Sequence, residues 1–169
     1  MHDRLVFETA SVRAEQSLEV AIPGYLILSS KQPVSEFSRM SEECAADLGR
    51  AIRLACRVVE EVIKPERIYV ARFGEECAEI HFHILPRTRW LLEEYRRVTG
   101  ASAGPASGAQ LFGWARDAFR GKTAPQIPGI TVSEAVRQMR SFSEQFRGSA
   151  RSRRLGLEAG PGGRPVHEE

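Results

Sequence analysis

A helical stretch of about six turns, which begins near Ser41 and ends before Pro65, constrains the fold of this chain more than any other segment. Its apolar residues recur three or four positions apart and form one stripe, made of Leu48, Ile52, Ala55, Val59 and Val62. Ser41 is a favourable N-cap residue, and Glu42 and Glu43 follow where the positive end of a helix dipole stabilises carboxylates. The sequence therefore predicts a long amphipathic helix over 41–63.

Short alternating or apolar stretches on both sides of this helix predict strands, over 5–7, 11–20, 25–28, 68–73 and 78–85. The last two are joined through Gly74-Glu75-Glu76, which is typical of a hairpin, so the sheet is expected to be antiparallel. Ile22-Pro23-Gly24 is predicted to form a turn before the third strand. The predicted fold class is α+β.

Further helices are predicted after residue 90, over 91–98, 110–119 and 133–146, with Ser133 as the expected cap of the last one. Beyond Gly148 the chain is mostly Arg, Ser, Gly and Pro, a composition typical of disorder. We therefore expect a core over 1–90, a helical C-terminal extension over 91–146 and a disordered tail over 147–169. The aromatic residues of the extension are expected to pack against the sheet or a partner subunit; they are Trp90, Tyr95, Phe112, Trp114 and Phe119.

Composition excludes several classes of protein. The net charge of +2 across 169 residues is too balanced to indicate nucleic-acid or membrane binding. No apolar run approaches the ~20 residues that a membrane helix needs, and the N-terminus has no signal-peptide core. Three cysteines at scattered positions do not form a disulfide framework. We expect one cytoplasmic domain with tails.

The segment around His81 and His83 carries the chemistry. Successive side chains of a strand point to opposite faces, so Glu79, His81 and His83 are expected to project together, with Cys77 as a candidate neighbour. The opposite face of the strand is then formed by Ile80, Phe82 and Ile84, which point into the core. The sequence thus predicts a strand with one apolar face and one face that bears two imidazoles and a carboxylate.

Two chemistries fit this face, and a partly exposed polar strand without a site is the simplest alternative. In the first, a neutral imidazole attacks phosphorus while its neighbours hold its tautomer. In the second, a metal ion binds two histidines and a carboxylate, with Cys77 as a fourth ligand. The strand pattern alone does not choose between them.

Residues 80–87, Ile-His-Phe-His-Ile-Leu-Pro-Arg, resemble the signature strand of histidine-triad proteins, in which histidines alternate with apolar residues. Residues 22–34, which begin Ile-Pro-Gly-Tyr and end Gln-Pro-Val, are similar to the earlier Pro-Gly-His strand of that family and the turn after it. The long helix 41–63 lies between the two, as in the family. The resemblance covers roughly residues 5–90.

The resemblance implies a five-stranded antiparallel sheet with a packed helix, usually in a homodimer. It also implies hydrolysis or transfer of nucleoside monophosphates from dinucleoside polyphosphates or nucleoside phosphoramidates, without metal or cofactor, through a covalent nucleotidyl-histidine. The family's nucleophile matches His81, and its third histidine, which positions the nucleophile and contacts phosphate, matches His83. Leu-Pro-Arg at 85–87 and Gln-Pro-Val at 32–34 look closest to the dinucleoside polyphosphate hydrolase branch.

The sequence departs from the family pattern at three places. Glu79 stands at the first triad position, Tyr25 replaces the histidine after Pro-Gly, and the loop 73–78 lacks the usual Gly-Gln-Ser/Thr and carries two acids. We expect Glu79 to orient an imidazole, Tyr25 to donate a phenolic hydrogen bond, and Arg72 and Arg87 to bind phosphate. The lost loop also raises the alternative of a relative that binds a nucleotide or protein without efficient turnover.

Overall fold

The structure, a computed structural model, describes residues 4–73, 79–102, 104, 106–121 and 129–154, with side chains described up to residue 148. Its strands are β1 (Leu5–Glu8), β2 (Val12–Gln16), β3 (Leu26–Ser30), β4 (Arg67–Ala71) and β5 (His81–Arg87). They form one antiparallel sheet in the order β1-β2-β3-β5-β4. The predicted α+β class, the antiparallel sheet and the pairing of β4 with β5 are confirmed. The segment that joins β4 to β5 at 74–78 lies outside the described residues.

The long helix α1 (Glu42–Ile63) follows a short 3₁₀ helix (Phe37–Arg39) and packs on one face of the sheet. The Ser41 hydroxyl accepts a hydrogen bond from the Cys44 backbone N–H at 3.3 Å, which confirms the predicted cap. Lys64 ends the helix with a left-handed φ of 51°. The apolar side of α1 meets the inward residues of β2, β3 and β5; the shared cluster includes Leu48, Ala51, Ala55, Val58, Ala14, Leu26, Leu28 and Ile84.

The last helix, α4 (Val132–Arg154), packs on the same face as α1. Ala135, Val136 and Met139 belong to the same apolar cluster, and the Arg140 guanidinium donates to the Leu5 carbonyl at 2.7 Å. The apolar cluster below the sheet therefore contains residues from both sides of the expected boundary at residue 90. The cap of α4 is Thr131, whose hydroxyl accepts from the Glu134 N–H at 3.2 Å, rather than Ser133.

The helix α4 also continues to Arg154, beyond its predicted end at residue 146 and into the segment expected to be disordered. Residues 155–169 lie outside the described residues, so the rest of the expected tail stays a prediction. Among the described helices, none is long and apolar enough to cross a membrane.

Helices α2 (Arg89–Thr99) and α3 (Gly108–Phe119) cover part of the opposite face of the sheet. They build a second apolar cluster with Val20, Ile22, Tyr25 and Leu85. The aromatic residues of the extension belong to this cluster or pack against it, so their predicted packing against the sheet is confirmed. They also contact one another, and the Trp114 ring centroid lies 5.3 and 5.5 Å from those of Tyr95 and Phe119. The two helices leave a cavity over the histidines of β5.

Candidate active site

The two histidines lie on an interior strand of the sheet, because β5 runs between β3 and β4. His81 pairs with Ser29 of β3, and His83 pairs with Ile27 of β3 and Ala71 of β4. Ile84 faces the opposite side, where it is fully buried in the cluster below α1. The predicted division of the strand into an apolar face and an imidazole face is therefore what the structure shows.

A cavity of about 370 Å³ lies over the imidazole face. Its lining residues come from the N-terminal segment, from the β2–β3 connection, from β3 and β5, and from α3. They are Arg4, Glu15, Gln16, Ser17, Leu18, Glu19, Val20, Tyr25, Ile27, Ser29, Glu79, His81, His83 and Arg116. The predicted residues Tyr25, Glu79, His81 and His83 are thus brought together in one cavity.

The tautomer of His81 is determined by its contact with the backbone. Its Nδ1 atom lies 3.1 Å from the backbone carbonyl oxygen of Glu79. A carbonyl oxygen accepts hydrogen bonds and cannot donate them, so Nδ1 carries the proton and the lone pair is on Nε2. The contact is made by the main chain of Glu79, whereas the side chain at this first triad position is the group expected to orient an imidazole. Its carboxylate is exposed and makes no hydrogen bond to another described residue.

His83 is buried, with 7% of its surface exposed, and its Nδ1 atom lies 2.8 Å from the Tyr25 hydroxyl oxygen. Burial raises the pKa of the Tyr25 phenol to about 12, so the phenol keeps its proton. Burial, followed by the neighbouring His81 and Arg116, lowers the pKa of His83 to about 4. With the phenol as the donor, the neutral ring of His83 accepts at Nδ1 and carries its hydrogen on Nε2.

Tyr25 is positioned by a turn that a buried glutamine holds. The Gln16 side chain is 1% exposed; its Nε2 donates to the Ile22 carbonyl at 2.8 Å, and its Oε1 accepts from the Gly24 N–H at 3.0 Å. Gly24 has a φ of +78°, a left-handed conformation that favours glycine. Gln16 was not among the predicted residues. Its signal in the sequence is a polar residue at the next buried position after Val12 and Ala14 in β2.

Arg116 of α3 also lines the cavity and was not among the predicted residues. Its guanidinium carbon lies 5.6 Å from the centroid of the Phe73 ring, which is 5.7 Å from the ring of His83. The feature of the sequence that could have identified it is that Arg116 is the only cationic residue in the predicted helix 110–119.

Neither Arg72 nor Arg87, the two predicted phosphate ligands, lines this cavity. The Arg72 guanidinium donates to the Ser35 carbonyl at 2.7 Å, in the loop after β3. Arg87 is at the far end of β5, beyond Leu85, and pairs with Glu66 at 3.1 Å. Arg72 follows Ala71, which pairs with His83, but its side chain extends to the loop after β3 and not into the cavity. Arg87 lies farther along β5 than both histidines.

Within the described part of the chain, no three His, Cys, Asp or Glu side chains are placed together as metal ligands. Cys77, the fourth ligand of the metal alternative, lies outside the described residues. The other two cysteines, Cys44 and Cys56, are free thiols on α1, the first buried and the second half-buried.

The lowered pKa of His83 predicts how stability depends on pH. Between the ordinary pKa of 6.5 and the folded pKa of about 4, the unfolded chain takes up a proton that native His83 does not. The free energy of unfolding should therefore fall as the pH is lowered through this window, by roughly 2 to 3 kcal/mol from this residue alone.

The measurement is urea unfolding of the wild type and His83→Asn at pH 7, 6, 5 and 4. Asparagine has no titrating group, so the difference in stability between the two proteins should shift in favour of the variant as the pH falls. A difference that stays constant from pH 7 to pH 4 would show that His83 is not held neutral by its surroundings.

Comparison with known proteins agrees with this architecture. A family model described as HIT domain matches residues 1–90, which is more than half of the chain. The curated proteins include no match. This sequence match covers all five strands and α1, and it ends in the first turn of α2, before α3, the helix that carries Arg116.

Solved structures show the same fold at low sequence identity. The chain is similar to a hypothetical histidine triad nucleotide-binding protein from Sulfolobus tokodaii, with a TM-score of 0.56, 14% identity and 85% of each chain covered. It is also similar to a Plasmodium falciparum diadenosine triphosphate hydrolase, with a TM-score of 0.55, 12% identity, and 86% and 79% of the two chains covered. A uridylyltransferase has a TM-score of 0.54 and 17% identity over 86% of this chain and 42% of its own.

Proposed function

Because the chain belongs to the HIT domain family, we propose that it hydrolyses or transfers nucleotides through a covalent nucleotide on Nε2 of His81. The observation that carries the proposal is the hydrogen bond between His81 Nδ1 and the Glu79 carbonyl. This bond leaves the Nε2 lone pair available, inside a cavity large enough for part of a nucleotide. When Nε2 forms a bond, the ring becomes positively charged, and the carbonyl dipole at Nδ1 stabilises that charge.

The proposed reaction has two displacement steps. In the first, His81 Nε2 bonds to the α-phosphorus of the substrate while the bond from phosphorus to the leaving group breaks, and the leaving group takes up a proton. In the second, water attacks the same phosphorus, the N–P bond breaks, and a nucleoside monophosphate leaves with the water oxygen while a proton passes to solvent. Two easier steps replace one difficult step.

His83 supports this reaction as a neutral hydrogen-bond donor. Tyr25 holds Nδ1 of His83, which leaves the Nε2 hydrogen for a phosphoryl oxygen or for the leaving group. The ring of His83 lies with its centroid 5.0 Å from that of His81. Its lowered pKa keeps it neutral at pH 7, so it donates without placing a second positive charge beside the His81 adduct.

We propose dinucleoside polyphosphates and nucleoside phosphoramidates as the substrate classes, and a reaction that does not require metal. An imidazole nucleophile supplies its own lone pair and does not depend on a metal to activate water. The likeness to a diadenosine triphosphate hydrolase and the Leu-Pro-Arg ending of β5 support the first class.

The test is release of nucleoside monophosphate from a panel of adenosine and guanosine compounds of both classes. Chromatography would measure the release with and without a chelator. Mass spectrometry would detect the phosphoramidate adduct on β5, which is sensitive to acid and stable in base. We expect chelator-resistant release and an adduct at His81. Release that a chelator abolishes would contradict the metal-independent mechanism.

A second candidate function is nucleotide binding without efficient turnover. It is favoured by the carboxylates of Glu15, Glu19 and Glu79, which line the cavity and oppose a phosphate electrostatically. A folded protein that binds AMP in calorimetry but releases no product from the panel would support this candidate over the first.

A further inference from the structure

The cavity is completed by a helix that lies outside the segment matched by the family model. That match ends at residue 90, whereas Arg116 on α3 lines the same cavity as His81 and His83. The lining residues include two arginines, Arg4 and Arg116. The Arg4 guanidinium donates a hydrogen bond to the Gln16 carbonyl. Arg116 is the one whose positive charge acts on His83, where it contributes to the lowered pKa of that imidazole.

The position of Arg116 is determined by the packing of α3 on the sheet. Leu111 and Ala115 are buried in the second apolar cluster. Phe112 is 3% exposed and makes edge-on contacts with His83 and Tyr25, with ring centroids 5.8 and 6.2 Å apart. Arg116 follows Phe112 by four residues, so both lie on the same side of the helix. The helix thus presents Arg116 on the side that contacts the site.

Phe73 contributes a second contact that orients the guanidinium. Arg116 lies over the Phe73 ring at 5.6 Å, and that ring in turn contacts His83 and Phe112. An arginine stacked on an aromatic ring keeps its N–H groups in the plane of the guanidinium available for hydrogen bonds. The contact with Phe73 thus places the guanidinium on a ring that itself contacts His83.

We propose that Arg116 binds a non-bridging oxygen of the phosphoryl group that His81 attacks. The inference rests on the proposed function, and it assigns to α3 the positive charge that the acidic sequence at 73–78 does not provide. A guanidinium forms charge-assisted, directional hydrogen bonds to phosphate oxygens. Negative charge on those oxygens is best stabilised by a donor that is already in place when the bond to His81 forms.

The test compares Arg116→Gln and Arg116→Lys with the matched control Arg97→Gln. Arg97 lies on α2, pairs with Glu94 at the surface and is outside the cavity, so the control removes the same charge elsewhere. We expect Arg116→Gln to lower kcat/KM by about 10²- to 10³-fold, Arg116→Lys to recover part of the loss, and Arg97→Gln to remain within about twofold of the wild type. Thermal unfolding would show whether each variant is folded.

A direct readout of the oxygen contact comes from Rp and Sp α-phosphorothioate substrates. The wild type should prefer one diastereomer, because sulfur at the position facing Arg116 weakens the hydrogen bonds. Arg116→Gln should lose most of that preference, whereas Arg97→Gln should keep it. A residue that acts through the folding of α3 alone would lower the rate for both diastereomers and leave their ratio unchanged, and this result would overturn the inference.

Calorimetry with AMP separates this inference from the proposed function. If the wild type binds AMP without turnover, and Arg116→Gln weakens binding at least tenfold while Arg97→Gln does not, Arg116 binds phosphate and the hydrolase proposal fails. If the wild type turns over substrate and Arg116→Gln matches it in rate, diastereomer preference and AMP affinity, the hydrolase proposal stands and the inference fails. If the folded wild type neither binds AMP nor turns over any substrate, both fail.

Discussion

His81→Ala should lower nucleotide release by at least about a thousandfold, because the substitution removes the atom that bonds to phosphorus. Alanine fills less space than imidazole and leaves the hydrogen bond between His83 and Tyr25 intact, so the fold should tolerate the change. The measurement is kcat on the best substrate of the panel, together with mass spectrometry of the adduct. No adduct should form on the variant.

His83→Asn is the matched control for this prediction. The asparagine oxygen can replace Nδ1 as the acceptor for Tyr25, but the donor at Nε2 is lost. We expect a smaller loss of rate than in His81→Ala, with the adduct still detectable on His81. Free imidazole supplied to His81→Gly should restore part of the release, since it delivers a nucleophile to the vacated position. Full turnover in His81→Ala would exclude His81 as the nucleophile.

Gly24→Ala should lower the free energy of unfolding by roughly 2 to 5 kcal/mol. Gly24 has a φ of +78°, which strains any residue with a Cβ atom. A Cβ atom at this position would also lie 2.5 Å from Cγ1 of Ile63 and 3.6 Å from Cγ of Pro86. Ile63 is the last residue of α1, so relief of the clash moves the end of that helix or the turn before Tyr25.

The measurement is urea unfolding, with Gly49→Ala as the control. Gly49 lies on the exposed side of α1, and no atom is within 4 Å of a Cβ placed there. Alanine in a helix interior is favoured over glycine by roughly 0.5 to 1 kcal/mol, so this variant should be slightly more stable than the wild type. If Gly24→Ala unfolds at the same urea concentration as the wild type, the turn does not require glycine.

Much of the fold follows from local patterns in the sequence. The capped helix 41–63 is determined by the spacing of its apolar residues and by Ser41, both of which act within a few turns. The face that His81 and His83 share follows from the two-residue period of a strand, whatever that strand pairs with. These features were predictable because they depend on neighbours along the chain.

The arrangement of the site depends instead on contacts between residues that are far apart in the sequence. Tyr25 and His83 are 58 residues apart and meet because β3 and β5 pair in one particular register. Arg87 lies beyond the histidines on the same strand and pairs with Glu66 instead of lining the cavity. Glu79 was predicted as an orienting residue, but the group that contacts His81 is its carbonyl, which depends on the backbone path at the start of β5.

The sequence by itself determined the class of fold, the long helix and the strand that carries the two histidines, because periodicity and capping are local properties of the chain. Only the tertiary structure decided which residues surround those histidines. It brought Arg116 to the cavity and joined α4 to the core below α1, since both placements depend on how helices dock on a sheet. Docking is decided by the complementary shapes of surfaces that are far apart in sequence, and no local pattern encodes it.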